Sequence, residues 1–204
     1  MFDSQLRPLI DPPLDRLARR AIRFGLSADQ VTFAGLLVGL AAAFAIGAGI
    51  FWLALLLILL NRLADGLDGA IARRTEATDR GAYFDIVFDF LFYGAVPLAF
   101  AFHDPIAYAL PAAILLASFY ANGATFLGFS AIAAKRGITT AVQGRKGIYY
   151  FAGIAEGAET IGVFVAMTIF PAFFSPIALA FAIVCFVSAA ARIVLVWALL
   201  GEDS

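Results

Sequence analysis

Long apolar runs separated by short polar breaks set the pattern of this chain. Runs near 29–48, 51–74, 81–102, 107–134, 147–170 and 177–200 approach or exceed the ~20 residues that cross a hydrocarbon core as helix. The breaks fall at Gly47 to Gly49, Thr75 to Arg80, His103-Asp104-Pro105, the basic stretch from Lys135 to Lys146, and Pro171 to Pro176. The short alternating segments of a membrane barrel are missing. The pattern therefore predicts an all-α polytopic membrane protein with six transmembrane helices. Ser27 stands where an N-cap for the first span is expected.

Ahead of the first span, Leu6, Leu9, Ile10, Leu14, Leu17, Ala18 and Ile22 alternate at helical spacing with Arg7, Arg16, Arg19, Arg20 and Arg23. An apolar stripe opposite a basic face predicts a short amphipathic helix, interrupted by Pro12 and Pro13, lying on an anionic leaflet; a solvated basic arm is the other reading. The organisation expected is one integral-membrane catalytic domain over 1–204, with an arm at 1–25 and a six-helix bundle at 26–204. No signal-peptide pattern is visible, so the first span is expected to direct its own insertion.

Composition strengthens the membrane reading. The 204 residues are 63% hydrophobic with 21 Phe, and the mean hydropathy is +0.93, outside the range of soluble domains. Cys185 is the sole cysteine; a single thiol forms no intrachain disulfide, and within an apolar run it reads as a small buried hydrophobe. No nucleic-acid partner is expected. The net charge of −1 conceals a grouping. Of 14 Lys and Arg, five precede the first span, four lie from Arg62 to Arg80, four lie from Lys135 to Lys146, and Arg192 is inside the sixth run. The breaks near 49, 103 and 173 carry none, a positive-inside pattern that places both termini and the second break on the cytoplasmic side of the cell inner membrane.

That placement matters because the stretch from Asn61 to Phe90 carries Asp65, Asp68, Asp85 and Asp89. Charges beside membrane spans are costly and mark function. Asp65 and Asp68 share one helix face, as do Asp85 and Asp89 on the next helix. With only a short turn between them, the two helices are expected to pack antiparallel and gather four carboxylates. Oxygen ligation without nearby His or Cys suits Mg²⁺ or Mn²⁺, and four acids suffice for two ions. Such a site serves phosphoryl chemistry. Gly66, Gly69, Ala72 and Gly81 remove bulk, so that phosphates could approach the backbone, and Arg73 offers a fork for a diphosphate.

The string Asp65-x2-Asp68-Gly69-x2-Ala72-Arg73-x7-Gly81-x3-Asp85-x3-Asp89 resembles the signature of the CDP-alcohol phosphotransferases, membrane enzymes of phospholipid synthesis. Their usual spacing between Arg and the next Gly is eight rather than seven, a difference confined to the turn. The resemblance implies that Asp65, Asp68, Asp85 and Asp89 ligate two metal ions. It gives Asp89 the further role of base toward the incoming alcohol, and makes Gly69, Ala72, Arg73 and Gly81 the lining of the cytidine diphosphate site. Asp29 and Thr32 correspond to a further family element on the nucleotide side; helix capping and interface polarity is their other reading. The implied reaction moves a phosphatidyl group from a CDP-alcohol, CDP-diacylglycerol foremost, to an alcohol, releasing CMP. A homodimer is implied by the resemblance alone.

Arg145 and Lys146 have two readings, an anionic acceptor site or topology and anionic-lipid attraction. Glu156 and Arg192 sit at similar depth and predict a structural ion pair, a pocket for the acceptor hydroxyls being the other reading; Glu159 shares the face of Glu156. Asn61 and Asn122 are expected to hydrogen-bond between helices. His103 falls at the opposite membrane face from the acids, which excludes histidine chemistry there. An intramembrane Asp-rich prenyltransferase and a non-enzymatic cation transporter are the alternative functions.

Overall fold

The computed structural model describes residues 3–137 and 157–201, and every regular element among them is a helix. In chain order these are α1 (Asp3–Arg23), α2 (Ala28–Gly47), α3 (Phe51–Ala72), α4 (Asp79–His103), α5 (Pro105–Arg136), α6 (Gly157–Ile169), a 3-10 turn at Pro171–Phe173, and α7 (Phe174–Gly201). The ends of the expected spans fall within a few residues of these bounds. The fifth is described only from Gly157.

Helix ends follow from local chemistry. Ser27 and Gln30 form a reciprocal capping box at α2, with bonds of 3.3 and 3.0 Å. This satisfies two N–H groups that have no partner within the helix. Thr78 caps α4 and Asp104 caps α5, each accepting from a first-turn N–H at 3.0 Å. Gly49 reverses the chain between α2 and α3 at φ +75°. A side chain there would also strike the His103 ring, whose Cε1 lies 2.9 Å from an ideal Cβ.

Four described segments are long and apolar enough to cross a membrane: Ala28–Gly47, Asp79–His103, Pro105–Arg136 and Pro171–Leu199. The expected six are therefore not all met on this measure. Helix α3 has the length but carries Arg62, Asp65 and Asp68 in its second half, and α6 is described over only 13 residues. Exposed Phe44, Trp52, Phe102, Leu110 and Trp197 give the bundle an apolar exterior, the surface expected of a protein solvated by lipid.

The interior joins α2 to α7 through Ile46, Ile58, Phe92, Phe100, Leu115, Phe164 and Phe174. Phe100 stacks on Phe174 with centroids 4.3 Å apart. Cys185 is buried among these residues, as the apolar run implied. The expected packing of α3 against α4 does not hold: α2 packs on both, and α3 and α4 make few backbone contacts with each other. The reason lies in Gly35 and Gly39, one turn apart on α2. An ideal Cβ on Gly35 would be 3.2 Å from Ala64 of α3, and one on Gly39 2.8 Å from Phe92 of α4. Small residues let α2 wedge between its neighbours. Asn61 of α3 then reaches the Gly35 carbonyl at 2.9 Å, an interhelical hydrogen bond of the kind expected for it.

Helix α1 runs unbroken from Asp3 to Arg23, so Pro12 and Pro13 do not interrupt it. Proline φ is helical, and both rings are exposed, where water can meet the carbonyls they leave unbonded. Leu14, Ala18 and Ala21 bury against Val31, Ala70 and Ile71, forming a second small core behind the motif end of α3. Leu14 fills the space over Gly66, its Cδ1 2.8 Å from where a Cβ would stand. Gly66 thus admits α1, and the expectation that it makes room for a ligand is corrected. Arg74 donates to both oxygens of Asp15, at 3.2 and 2.7 Å. This hydrogen bonding holds the Asp15 carboxyl below its ordinary range.

Since the folded-state value of Asp15 is depressed, its contribution is present above the ordinary carboxylate pKa and disappears as pH falls through the lower folded value. Mild acidification to pH 5 should leave α1 docked. Exposed ion pairs hold little, whereas deleting a buried leucine leaves a gap. Leu14→Ala is accordingly expected to speed tryptic cleavage after Arg16 and Arg19 more than Asp15→Asn does; the reverse order would show that charge docks the arm.

Candidate active site

Because α2 separates α3 from α4, the motif forms a cleft rather than a closed knot of carboxylates. Thr32, Gly35 and Leu36 come from α2, Asn61, Arg62, Asp65 and Asp68 from α3, and Asp85, Phe88 and Asp89 from α4; together they line one pocket. The i, i+3 spacing on α3 and the i, i+4 spacing on α4 turn both acid pairs inward. Asp68 is the deepest, at 6% exposure. Asp65 and Asp89 are half-buried and Asp85 is exposed.

Arg62 spans the cleft, although its place in the sequence pattern was that of a topology-setting base. Its Nη2 donates to Asp89 Oδ1 at 2.7 Å and its Nη1 to Asp65 Oδ2 at 3.4 Å. Nε donates to Asn61 Oδ1 at 3.1 Å, and the guanidinium lies 5.7 Å from the centre of the Phe92 ring. The second oxygen of Asp89 accepts from the Tyr93 hydroxyl at 3.1 Å. A signal for Arg62 was available: it stands three residues before Asp65 and so shares that acid's face.

Of the remaining sequence candidates, Thr32 alone belongs to this lining. Arg73 is exposed at the C-cap of α3, and its Nη1 is 3.3 Å from where a Gly69 Cβ would be. Ala72 closes the same helix, outside the pocket lining. Asp29 accepts from Arg80 Nη2 at 2.5 Å and is 3.4 Å from an ideal Cβ on Gly81, which joins the start of α2 to the start of α4. Thr32 lines the pocket while donating to the Ala28 carbonyl at 3.0 Å. Arg145, Lys146 and Glu156 lie outside the described residues, so the expected Glu156 pair with Arg192 does too. Arg192 itself donates from α7 to the Asn122 carbonyl, the Asn122 side chain and Thr125, all at 2.9 to 3.0 Å. Asn122 therefore bonds between helices as expected. His103, 14 residues beyond Asp89 on α4, is roughly 21 Å away along the helix axis, which keeps histidine out of the pocket chemistry.

The donor set is oxygen throughout, four carboxylates and one hydroxyl, which fits a hard divalent ion. Among the described residues no three acids converge as a ready ligand cage. Asp65 and Asp89 face Arg62 instead.

The model of the CDP-alcohol phosphatidyltransferases matches residues 26–201. The chain belongs to this family. It is also 42% identical over 193 residues to the inner membrane protein YnjF of Escherichia coli strain K12, covering 95% of this chain and 94% of the relative. The archaetidylinositol phosphate synthase of Pyrococcus horikoshii is 25% identical over 162 residues, 79% of this chain and 86% of that protein. Among solved structures, the phosphatidylinositol phosphate synthase of Mycobacterium tuberculosis in complex with manganese and citrate superposes with a TM-score of 0.71 at 25% identity. That match covers 90% of this chain and 88% of the other. The same synthase with CDP-DAG bound gives a TM-score of 0.71 at 24% identity over 90% and 93%, a likeness of fold. Family membership selects the first of the three functions open from the sequence, and the chain is a membrane protein of phospholipid head-group transfer.

Proposed function

We propose that this chain transfers a phosphatidyl group from CDP-diacylglycerol to a small anionic alcohol and releases CMP. The observation that carries the reading is that all four aspartates of the family motif line a single pocket. The reading treats residues 1–204 as one catalytic membrane domain with six spans, its active site and both termini cytoplasmic. In support, the tuberculosis synthase is described with CDP-DAG in one structure and manganese in another.

In this proposal Asp65, Asp68, Asp85 and Asp89 hold two Mg²⁺ or Mn²⁺ ions. Bound there, the ions supply neutralisation of charge on the diphosphate and the departing CMP. Gly69, Ala72, Arg73, Gly81, Asp29 and Thr32 bind the nucleotide side of the donor. Among these, Thr32 lines the pocket, while Asp29, Arg73 and Gly81 stand at helix ends. Asp89, already oriented by Tyr93, takes the proton of the acceptor hydroxyl as its oxygen attacks phosphorus. Arg145 and Lys146 hold the acceptor's own anionic group. A phosphorylated polyol is favoured as acceptor, because two similar proteins bear the names archaetidylinositol phosphate synthase and phosphatidylinositol phosphate synthase.

The test is purified protein supplied with CDP-diacylglycerol, Mn²⁺ and a panel of alcohols: inositol phosphate, glycerol phosphate, inositol, serine and glycerol. Alcohol-dependent CMP release, greatest with a phosphorylated polyol, is expected. Release driven best by a neutral alcohol would remove the acceptor assignment and keep the donor; no metal-dependent release with any of them would overturn the reading.

A further inference from the structure

Arg62 is the one basic side chain in the pocket lining, facing four carboxylates. It is also firmly seated. Its Nε is fixed by Asn61, Asn61 is in turn anchored to the Gly35 carbonyl, and the Phe92 ring lies against the guanidinium. The side chain is 20% exposed. Two of its nitrogens are given to acids on different helices, Asp65 on α3 and Asp89 on α4. Four carboxylates within one pocket repel one another strongly unless a cation is present. A planar fork is suited to bridging two of them. Asp68 and Asp85 are not among its bonded partners, so the guanidinium covers half of the acid set.

We propose that Arg62 is the site's internal counter-cation, occupying the acid cleft until a divalent ion displaces it from Asp65 and Asp89. The inference rests on the metal reading of the pocket given above. It makes Arg62 a positioning residue: it holds α3 and α4 in register across the cleft in the metal-free protein, at the expense of apparent metal affinity. The binding-competent state is the one in which Asp65 and Asp89 are free of Arg62, and apparent affinity falls by the fraction of time that state is populated. Displacement would also free Asp89 Oδ1, one of two carboxylate oxygens that already accept hydrogen bonds.

The experiment is Mn²⁺ titration followed by electron paramagnetic resonance, with thermal melts in EDTA and in Mn²⁺, on the purified full chain. Variants are Arg62→Gln and Arg62→Lys. Arg62→Gln should bind Mn²⁺ more tightly, on the order of ten-fold for about 1.4 kcal/mol of removed competition. It should also melt lower in EDTA and gain more from Mn²⁺ than the unmodified protein. Arg62→Lys keeps the charge but not the fork, so it should fall between the two; it also serves if Arg62→Gln fails to fold. Equal or weaker Mn²⁺ binding by the variants, or Arg62→Lys matching the unmodified protein, overturns the proposal while leaving the metal reading standing. Absence of Mn²⁺ binding in all three proteins overturns both.

Discussion

Replacing Asp89 with Asn is expected to abolish alcohol-dependent CMP release while leaving the protein folded. The amide is nearly isosteric. Its oxygen can still accept from Arg62, which now donates to Asp89 Oδ1 at 2.7 Å, and its nitrogen can face the Tyr93 oxygen. What is lost is the negative charge and the ability to take a proton. A positioned general base contributes roughly 10²- to 10⁴-fold, and loss of a carboxylate from the proposed metal set adds to that. Gel filtration and circular dichroism should therefore match the unmodified protein, with turnover near background. Undiminished activity in this variant would sink the base assignment.

The second large effect is expected at Gly39, far less conspicuous in the sequence than the acids. An added Cβ would stand 2.8 Å from Phe92 Cδ2 and 3.0 Å from Asn61 Nδ2. Both neighbours are buried, at 1% and 5% exposure, and Asn61 is already held by the Gly35 carbonyl. Neither can step aside, so Gly39→Ala must push α2 away from α3 and α4. Overpacking of this kind costs about 1–3 kcal/mol, and here the displaced helices carry all four acids. Gly123→Ala makes a useful contrast. Its Cβ would be nearer still, 2.3 Å from Phe90 Cε1, but that atom belongs to a side chain 38% exposed that can rotate away. Thermal melts in detergent should show the greater loss for Gly39→Ala, together with the greater loss of CMP release. A larger effect at Gly123 would mean that the wedge of α2 does not govern the site.

The sequence was legible where a local rule decided the outcome. Helix ends followed from the Ser27 cap and from the breaks at Gly47 to Gly49, Thr75 to Arg80 and His103-Asp104-Pro105, because caps and reversals are settled by a few neighbouring residues. The four acids were found by spacing alone, since i, i+3 and i, i+4 positions share a face whatever the helix packs against. Cys185, Asn61 and Asn122 behaved as their settings implied.

Where the sequence reading failed, the missing information was which helix faces which. A short turn between α3 and α4 predicted direct packing, yet Gly35 and Gly39 on α2 give a closer fit to each of them than they give to one another. Gly66 was read as room for a ligand because nothing local said that Leu14, 52 positions earlier, would fill it. Arg62 was counted among the topology-setting bases, although its shared face with Asp65 pointed further.

The sequence by itself thus determined an all-helical membrane protein, its family and the identity of its acids, because apolar period, capping and motif spacing are written along the chain. Only the tertiary structure decided that the acids share one cleft lined by α2, and that Arg62 bridges Asp65 to Asp89. Those contacts depend on the distance between helices, which small residues remote in sequence set through close packing.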